Sequence, residues 1–265
     1  MRRKGEAMQF AALAGLLRSL VIYYNPAVIR QSRALYRGLL GPGDLAIDVG
    51  AHVGTRARAM RAAGARVVAL EPQPVFARFL RRTLPRDIRL IEAAAGPAPG
   101  QAAMTVSRRH PTVSSLNEGF VADAVAKPGF EHVRWDAQAQ VAVTTLDAVI
   151  ADHGLPALVK IDVEGFELEV LAGLSQPVRV ISVEYLPGWP ALTLAVLDRL
   201  CALGAYRFNA VRGEHARFEW QDWQDAQTLR DWLAALPADA QSGDLYARLE
   251  DAWSPAPGST STEGR

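Results

Sequence analysis

The chain has 265 residues and a formal net charge of +1, from 29 Lys and Arg against 28 Asp and Glu. That balance excludes a protein held to nucleic acid by phosphate contacts over its whole surface. Hydrophobic residues make up 49% and charged residues 22%, too apolar for a disordered chain and enough for the core of one α/β domain with additions. Cys201 is the only cysteine, which excludes a disulfide framework and any multi-thiolate site and suits a reducing, cytoplasmic setting.

Arg2, Arg3 and Lys4 precede an apolar stretch from Met8 to Leu17 in the order of a signal peptide. Arg18 interrupts that stretch well short of the roughly 20 residues a membrane span needs. It reads instead as an amphipathic helix through Val21, followed by a second helix from Pro26 to Leu40, and residues 1–43 are expected to form an N-terminal helical cap. A basic and then apolar start is also the makeup of a segment lying on a membrane surface, so peripheral membrane contact stands as the alternative for this segment.

From Leu45 short apolar runs alternate with amphipathic stretches, the signature of βαβ units. Strands are predicted at Leu45–Val49, Arg66–Glu71, Ile88–Glu92, Ala157–Ile161 and Arg179–Glu184, each apolar enough to be buried on both faces. Helices are predicted from Gly54 to Ala63, Pro74 to Thr83, Phe166 to Leu174 and Pro190 to Leu203. The fold class is therefore α/β with a doubly wound, mostly parallel sheet over residues 44–250, and ligand chemistry belongs at the carboxyl ends of its strands. Between Ser107 and Gln140 the alternation lapses into a polar, Gly/Pro-punctuated connection, a candidate lid flanked by strand-like Ala102–Val106 and Gln140–Val143. After Leu203 the pattern gives strands at Tyr206–Val211, Ala216–Trp220 and Asp244–Ala247 and a helix at Ala226–Leu236. Residues 251–265, rich in Pro, Ser, Thr and Gly, are expected to be a disordered tail.

The first strand runs into Asp48-Val49-Gly50-Ala51-His52-Val53-Gly54. Its glycines permit a sharp turn and close backbone approach to a ligand, and the following helix start offers free N–H groups. A nicotinamide fingerprint would need G-x-G-x-x-G, whereas Gly50 and Gly54 are separated by three residues; a carboxylate two positions before Gly50 suits a cationic ligand such as the amino-acid end of S-adenosylmethionine. Glu71, at the end of the second strand and 23 positions after Asp48, stands where an acid hydrogen-bonds a ribose diol in nucleotide-binding α/β folds. Glu92 and Ala93, at the end of the third strand, either border an adenine ring or, for Glu92, are simply solvated.

The densest cluster is Lys160-Ile161-Asp162-Val163-Glu164-Gly165-Phe166-Glu167. Alternation puts Lys160, Asp162 and Glu164 on one side as the strand ends. Two carboxylates at the carboxyl edge of a central strand are placed for proton abstraction, for a divalent ion or for gripping a ligand. Glu184, ending the fifth strand, is a candidate third oxygen ligand, while Glu167 and Glu169 read as solvated charges favoured by a helix start.

These segments carry a resemblance. DVGAHVGTRA from Asp48 to Ala57, Glu71-Pro72, the TLD stretch at Thr145–Asp147 and above all KIDVEGFELEVLAGL from Lys160 to Leu174 resemble the FkbM-type S-adenosylmethionine-dependent methyltransferases, from about Leu35 to Leu249. The resemblance implies the seven-stranded class I methyltransferase (Rossmann-like) fold, S-adenosyl-L-methionine as cofactor, and methyl transfer to a hydroxyl of a sugar, polyketide or other small metabolite or glycan. It implies cofactor binding by Asp48, Gly50, Gly54 and Glu71, together with Ala51 and His52 of the same loop, and a reaction face at Asp162 and Glu164. His52 departs from the pattern, standing where family members commonly carry Asn.

The remaining histidines, His110, His132, His153 and His215, lie in polar stretches and read as exposed, with His110 placed to reach a substrate from the long connection. Ser114 and Ser115 fall in the same connection and are candidates to line the pocket. Cys201 reads as a small core residue. Tyr185 and Trp189 either wall the substrate or cap the core edge. The rivals to a methyltransferase are a non-catalytic cofactor-fold binding protein, against which the intact acids and glycines speak, and a nicotinamide oxidoreductase, disfavoured by the glycine spacing.

Overall fold

The computed structural model describes residues 2–250 except Pro128 and Glu214, so the tail expected at 251–265 lies outside the described residues. The helices are α1 (Arg2–Tyr23), α2 (Pro26–Arg37), α3 (Thr55–Ala62), α4 (Pro74–Thr83), α5 (Glu118–Val125), α6 (Leu146–His153), α7 (Glu167–Ala172), α8 (Pro190–Leu203) and α9 (Ala226–Ala234). The strands are β1 (Leu45–Val49), β2 (Arg66–Leu70), β3 (Ile88–Ile91), β4 (Ala94–Ala95), β5 (Gly100–Val106), β6 (Ala137–Thr144), β7 (Leu158–Ile161), β8 (Val180–Tyr185), β9 (Tyr206–Arg212) and β10 (Gly243–Leu249).

Seven strands form the main sheet in the order β3-β2-β1-β7-β8-β10-β9, with β10 antiparallel to both of its neighbours. The mostly parallel, doubly wound sheet is the one that the sequence pattern predicts, and its seven strands are the number that the family resemblance implies. The chain builds outward from β1 to β3 and then crosses back to β7, so β1 and β7 flank the point where the winding reverses. A crevice opens outside the carboxyl ends of strands at such a point. Strand alternation fills the two layers: Leu45, Ile47 and Val49 pack with β8, α6 and α8, while Ala46 packs with α2 and α3 on the other face. A smaller sheet, β4-β6-β5, extends the strand-like stretches at 102–106 and 140–143 and stands beside the carboxyl ends of β1 to β3.

Two local expectations are corrected. Residues 216–220 make only one isolated bridge, between Phe218 and Val211, and no strand. The side chain of Asn209 takes over the pairing there, donating to the Trp220 carbonyl at 2.9 Å and accepting from the Trp220 N–H at 3.3 Å. Cys201 is exposed: the buried stripe of α8 runs through Val196, Leu197, Leu200 and Leu203, and a residue one past Leu200 sits about 100° further round the helix.

Candidate active site

The turn after β1 is shaped by backbone that only certain residues tolerate. Gly50 has φ +82°, and a Cβ there would lie 1.9 Å from the Asp162 carbonyl oxygen, so the β1 and β7 ends meet through a glycine. The N–H groups of Gly50 and Ala51 both donate to the Leu70 carbonyl, at 3.0 and 2.9 Å. His52, at φ 51°, then turns its N–H onto Glu71 Oε2 at 2.7 Å, and Gln73 donates its N–H to Oε1 at 2.8 Å. Glu71 is 2% exposed, and burial pushes its carboxyl up to about 8 despite these two donors.

The cleft along these strand ends is concave and open to solvent, as small-molecule sites are. Of the predicted residues, Gly50, Ala51, His52, Glu71, Ala93, Asp162 and Glu164 line it. Asp48 and Gly54 do not. Asp48 is 1% exposed beneath the loop; it accepts a hydrogen bond from the Ala57 N–H, and burial raises it to about 6. It therefore supports the loop from behind, because it falls on the same face of β1 as Ala46. Gly54 caps α3 at φ 80°, and a Cβ on it would press on Leu80 and Leu84 at 2.9 and 3.0 Å. Glu92 is also outside the cleft, clasped by Arg81 through two bonds of 2.7 and 2.5 Å on the surface.

His52 packs its ring between Tyr23 and Phe76, with centroid distances of 5.2 and 4.2 Å. Burial lowers it to about 4, so it is a neutral wall of the cleft and too weak a base for proton transfer. Tyr23 and Val28, from the elbow between α1 and α2, line the same cleft. Sequence reasoning missed both, since nothing local marks a contact across more than 20 residues.

At the other end, Asp162 follows β7 and donates its N–H to the Val49 carbonyl at 3.0 Å. Glu164 and Gly165 both have left-handed backbone, φ 56° and 86°. For Glu164 that conformation costs about 1–3 kcal/mol, a strain that functional sites commonly hold. One carboxylate oxygen from each of Asp162, Glu164 and Glu184 lies within 4.8 Å of the others. Lys160 is fully buried and bridges this group to the sheet, 3.3 Å from Asp162 and 2.9 Å from Asp244. Burial alone would push Asp162 up, but the Lys160 ammonium and Arg56 outweigh it and hold the carboxyl below its usual range. Glu164 and Glu184 are instead raised well above that range, by burial and by the neighbouring carboxylates.

Glu167 overturns its reading as a solvated charge. It is 1% exposed and accepts from the N–H groups of Val163 and Gly165, each at 3.2 Å; burial raises it to about 7. It holds the left-handed turn that carries Glu164. Glu169 is half-buried, with Oε2 unpartnered.

The long connection crosses this end. Asn117 donates from Nδ2 to the Gly165 carbonyl at 2.7 Å and caps α5 by accepting from the Phe120 N–H at 3.0 Å. Phe120 fills the space a Cβ on Gly165 would take and packs on Trp189, with centroids 4.6 Å apart. Trp189 is half-buried against Phe120 and is not among the residues that line the cleft, whereas Tyr185 is 1% exposed in the core against Trp232. Ser114 lines the cleft with Pro111 and Thr112; Ser115 is buried and accepts from the Asn117 N–H at 3.0 Å. His110 is half-buried and meets exposed His132 edge to face at 4.8 Å, while His215 is exposed and His153 half-buried.

The strand order and the loop geometry define a class I methyltransferase. The methyltransferase FkbM domain matches residues 48–240, and the chain belongs to that family of S-adenosylmethionine-dependent methyltransferases. A comparison with curated proteins gives no match. Among solved structures the chain is similar to a TehB-like SAM-dependent methyltransferase from Corynebacterium glutamicum, at 12% identity over 88% of this chain and 94% of that one, TM-score 0.46. It is also similar to the O-methyltransferase from Bacillus cereus, at 12% identity over 90% of each chain, TM-score 0.43. A third is the precorrin-6Y C5,15-methyltransferase from Geobacter metallireducens, at 14% identity over 82% and 87%, TM-score 0.41.

The residues present fit the family's cofactor. The Glu71 carboxylate borders the cleft, and Ala93, Ala94, Met104, Leu116 and Phe166 give it apolar walls.

Proposed function

We propose that the protein transfers a methyl group to a hydroxyl oxygen of a small metabolite or glycan, held beside Asp162 and Glu164. The observation that carries this reading is the convergence of Asp162, Glu164 and Glu184 within 4.8 Å at the far end of a cleft whose near end holds Glu71. S-adenosylmethionine, when bound, supplies an electrophilic methyl group. Glu71 accepts its ribose hydroxyls, and the loop from Gly50 to His52 bounds its position.

A hydroxyl acceptor must lose its proton on transfer. Three carboxylates this close do not all stay ionised, so they hold a shared proton or a cation. In the first version Asp162, kept anionic by Lys160, orients the hydroxyl, while Glu164 and Glu184, whose burial and acidic neighbours raise their basicity, share one proton, and the carboxylate of that pair left ionised takes the proton of the hydroxyl. In the second, Asp162, Glu164 and Glu184 are a hard oxygen donor set suited to Mg²⁺, which would lower the hydroxyl's pKa. In both, the protein's largest contribution is holding the acceptor in line, worth about 7–11 kcal/mol in favourable cases.

Single-turnover assays with hydroxylated acceptors test this. Asp162→Asn and Glu164→Gln should each slow transfer by about 10²–10⁴-fold while cofactor affinity changes little. In the cation version a chelator abolishes wild-type transfer and Mg²⁺ restores it. Both variants working at the wild-type rate, with no response to chelator, would overturn the proposal.

A further inference from the structure

Helix α1 carries a stripe of large apolar side chains on the outside. The side facing the domain carries Gly15, which is buried, and Ser19, 1% exposed. A Cβ on Gly15 would lie 2.2 Å from the Arg108 carbonyl oxygen, so the helix crosses the long connection on its smallest residues. On the opposite side Leu13, Leu17 and Val21 follow one another every four residues and are 51%, 54% and 82% exposed, with Ile22 beside them. A surface helix of a soluble domain ordinarily shows the reverse pattern.

Charge is as unevenly placed. Arg2, Arg3 and Lys4 open α1, Arg18 lies midway, and Arg30, Arg33 and Arg37 follow on α2, against Glu6 as the single acid. Residues 1–43 thus carry a formal +6 in a chain whose total is +1. The side chains of Arg18, Arg30, Arg33 and Arg37 are all exposed. An anionic surface would attract this corner and repel the remainder, which orients the molecule before any apolar contact is made.

We propose that α1 and α2 dock the protein on an anionic lipid bilayer, with Leu13, Leu17, Val21 and Ile22 entering the headgroup boundary and the arginines meeting the headgroups. The helices lie on the membrane and do not cross it. Among the described residues no single helix is long and apolar enough to span, and the two together qualify only as a pair bent by 65°. Each also has a face occupied by protein, through Gly15 and Ser19 on α1 and Ser32 and Tyr36 on α2. Because Tyr23 and Val28 at their elbow line the cleft, docking brings its mouth to the bilayer. The acceptor class this favours is an amphiphilic alcohol held in the membrane, a corollary that rests on the methyl-transfer reading, whereas docking itself does not.

Co-sedimentation of the full chain with vesicles tests the surface. The protein should pellet with vesicles of phosphatidylglycerol in phosphatidylcholine, remain in solution with phosphatidylcholine alone, and release as salt is raised. Arg30→Gln and Arg33→Gln should each weaken binding about fivefold. Leu17→Ser with Val21→Ser should abolish it while calorimetric affinity for S-adenosylhomocysteine is unchanged. Failure to bind the anionic vesicles, or undiminished binding by the serine double variant, overturns the proposal. So does a wild-type dimer in sedimentation equilibrium that the double variant dissolves, which would assign the stripe to a second copy. A protein that docks yet transfers no methyl group keeps the surface and loses only the reaction.

Discussion

At the β2 end of the cleft one buried carboxylate, Glu71, is met by two backbone N–H groups at 2.7 and 2.8 Å. At the β7 end three carboxylates face one another with a single lysine among them. The first end is finished: one donor comes from the loop, fixed by left-handed backbone at His52 and a glycine turn, and the other from Gln73, two residues past the carboxylate. The second end is unbalanced. Lys160 neutralises one acid and is shared with Asp244, so Glu164 and Glu184 hold their place only with a proton or a cation between them. A site that binds the same cofactor in every turnover gains from being preformed, and a site that must take up a proton gains from groups poised between two charge states.

The largest effect should come from removing the lysine that is paired with the acidic end. Lys160→Met leaves Asp162 and Asp244 without their partner, and breaking a buried pair in this way costs about 3–5 kcal/mol, nearer the lower figure because Asp162 keeps 37% of its side chain exposed to the cleft. Urea unfolding measures it. A loss below about 1 kcal/mol would mean that the acids relax on their own, and the contrast between the two ends would fail.

The finished end was the more legible in sequence, because its chemistry is local. Gly50, His52 and Glu71 belong to one strand-turn-helix and the strand that follows, and the glycine spacing announces the turn. Asp48 shows the limit of that reading: its place at the strand end was evident, but alternation along β1 sends its side chain behind the loop with Ala46. In the acidic end Asp162 and Glu164 stood out, whereas Glu167 looked like an ordinary helix-start charge. Its burial depends on the Val163 and Gly165 N–H groups that flank the left-handed turn at Glu164, and positive φ at a glutamate is not written in composition. Asn117, Tyr23 and Val28 reach the site through tertiary contacts alone, so no spacing rule finds them.

Glu71→Ala should weaken S-adenosylmethionine binding by about 1–3 kcal/mol, the cost of leaving buried hydroxyls without their acceptor. A folded variant with unchanged affinity would remove Glu71 from the site. The same variant sharpens the electrostatics of the empty protein. Burial raises Glu71 from 4.5 to about 8, so the folded state binds the extra proton between these values and its stability falls as pH rises through that window. Wild type should therefore lose stability relative to Glu71→Ala from pH 4.5 towards 8. A difference flat in pH would show that the two N–H donors keep Glu71 ionised.

The smallest effect belongs to Glu92, and it probes where the finished end stops. Its strand position invited a place beside the cofactor's ring, but the side chain leaves the sheet edge for Arg81 and stays 40% exposed. Ala93, the next residue, is 7% exposed and turns into the cleft instead. Exposed ion pairs of this kind add little to stability. Glu92→Ala should leave both the calorimetric affinity for S-adenosylmethionine and the unfolding midpoint where they are. Weaker binding in that variant would show that Glu92 exchanges Arg81 for the cofactor when the cleft fills, and the β2 end would then be, like the β7 end, completed only by its ligand.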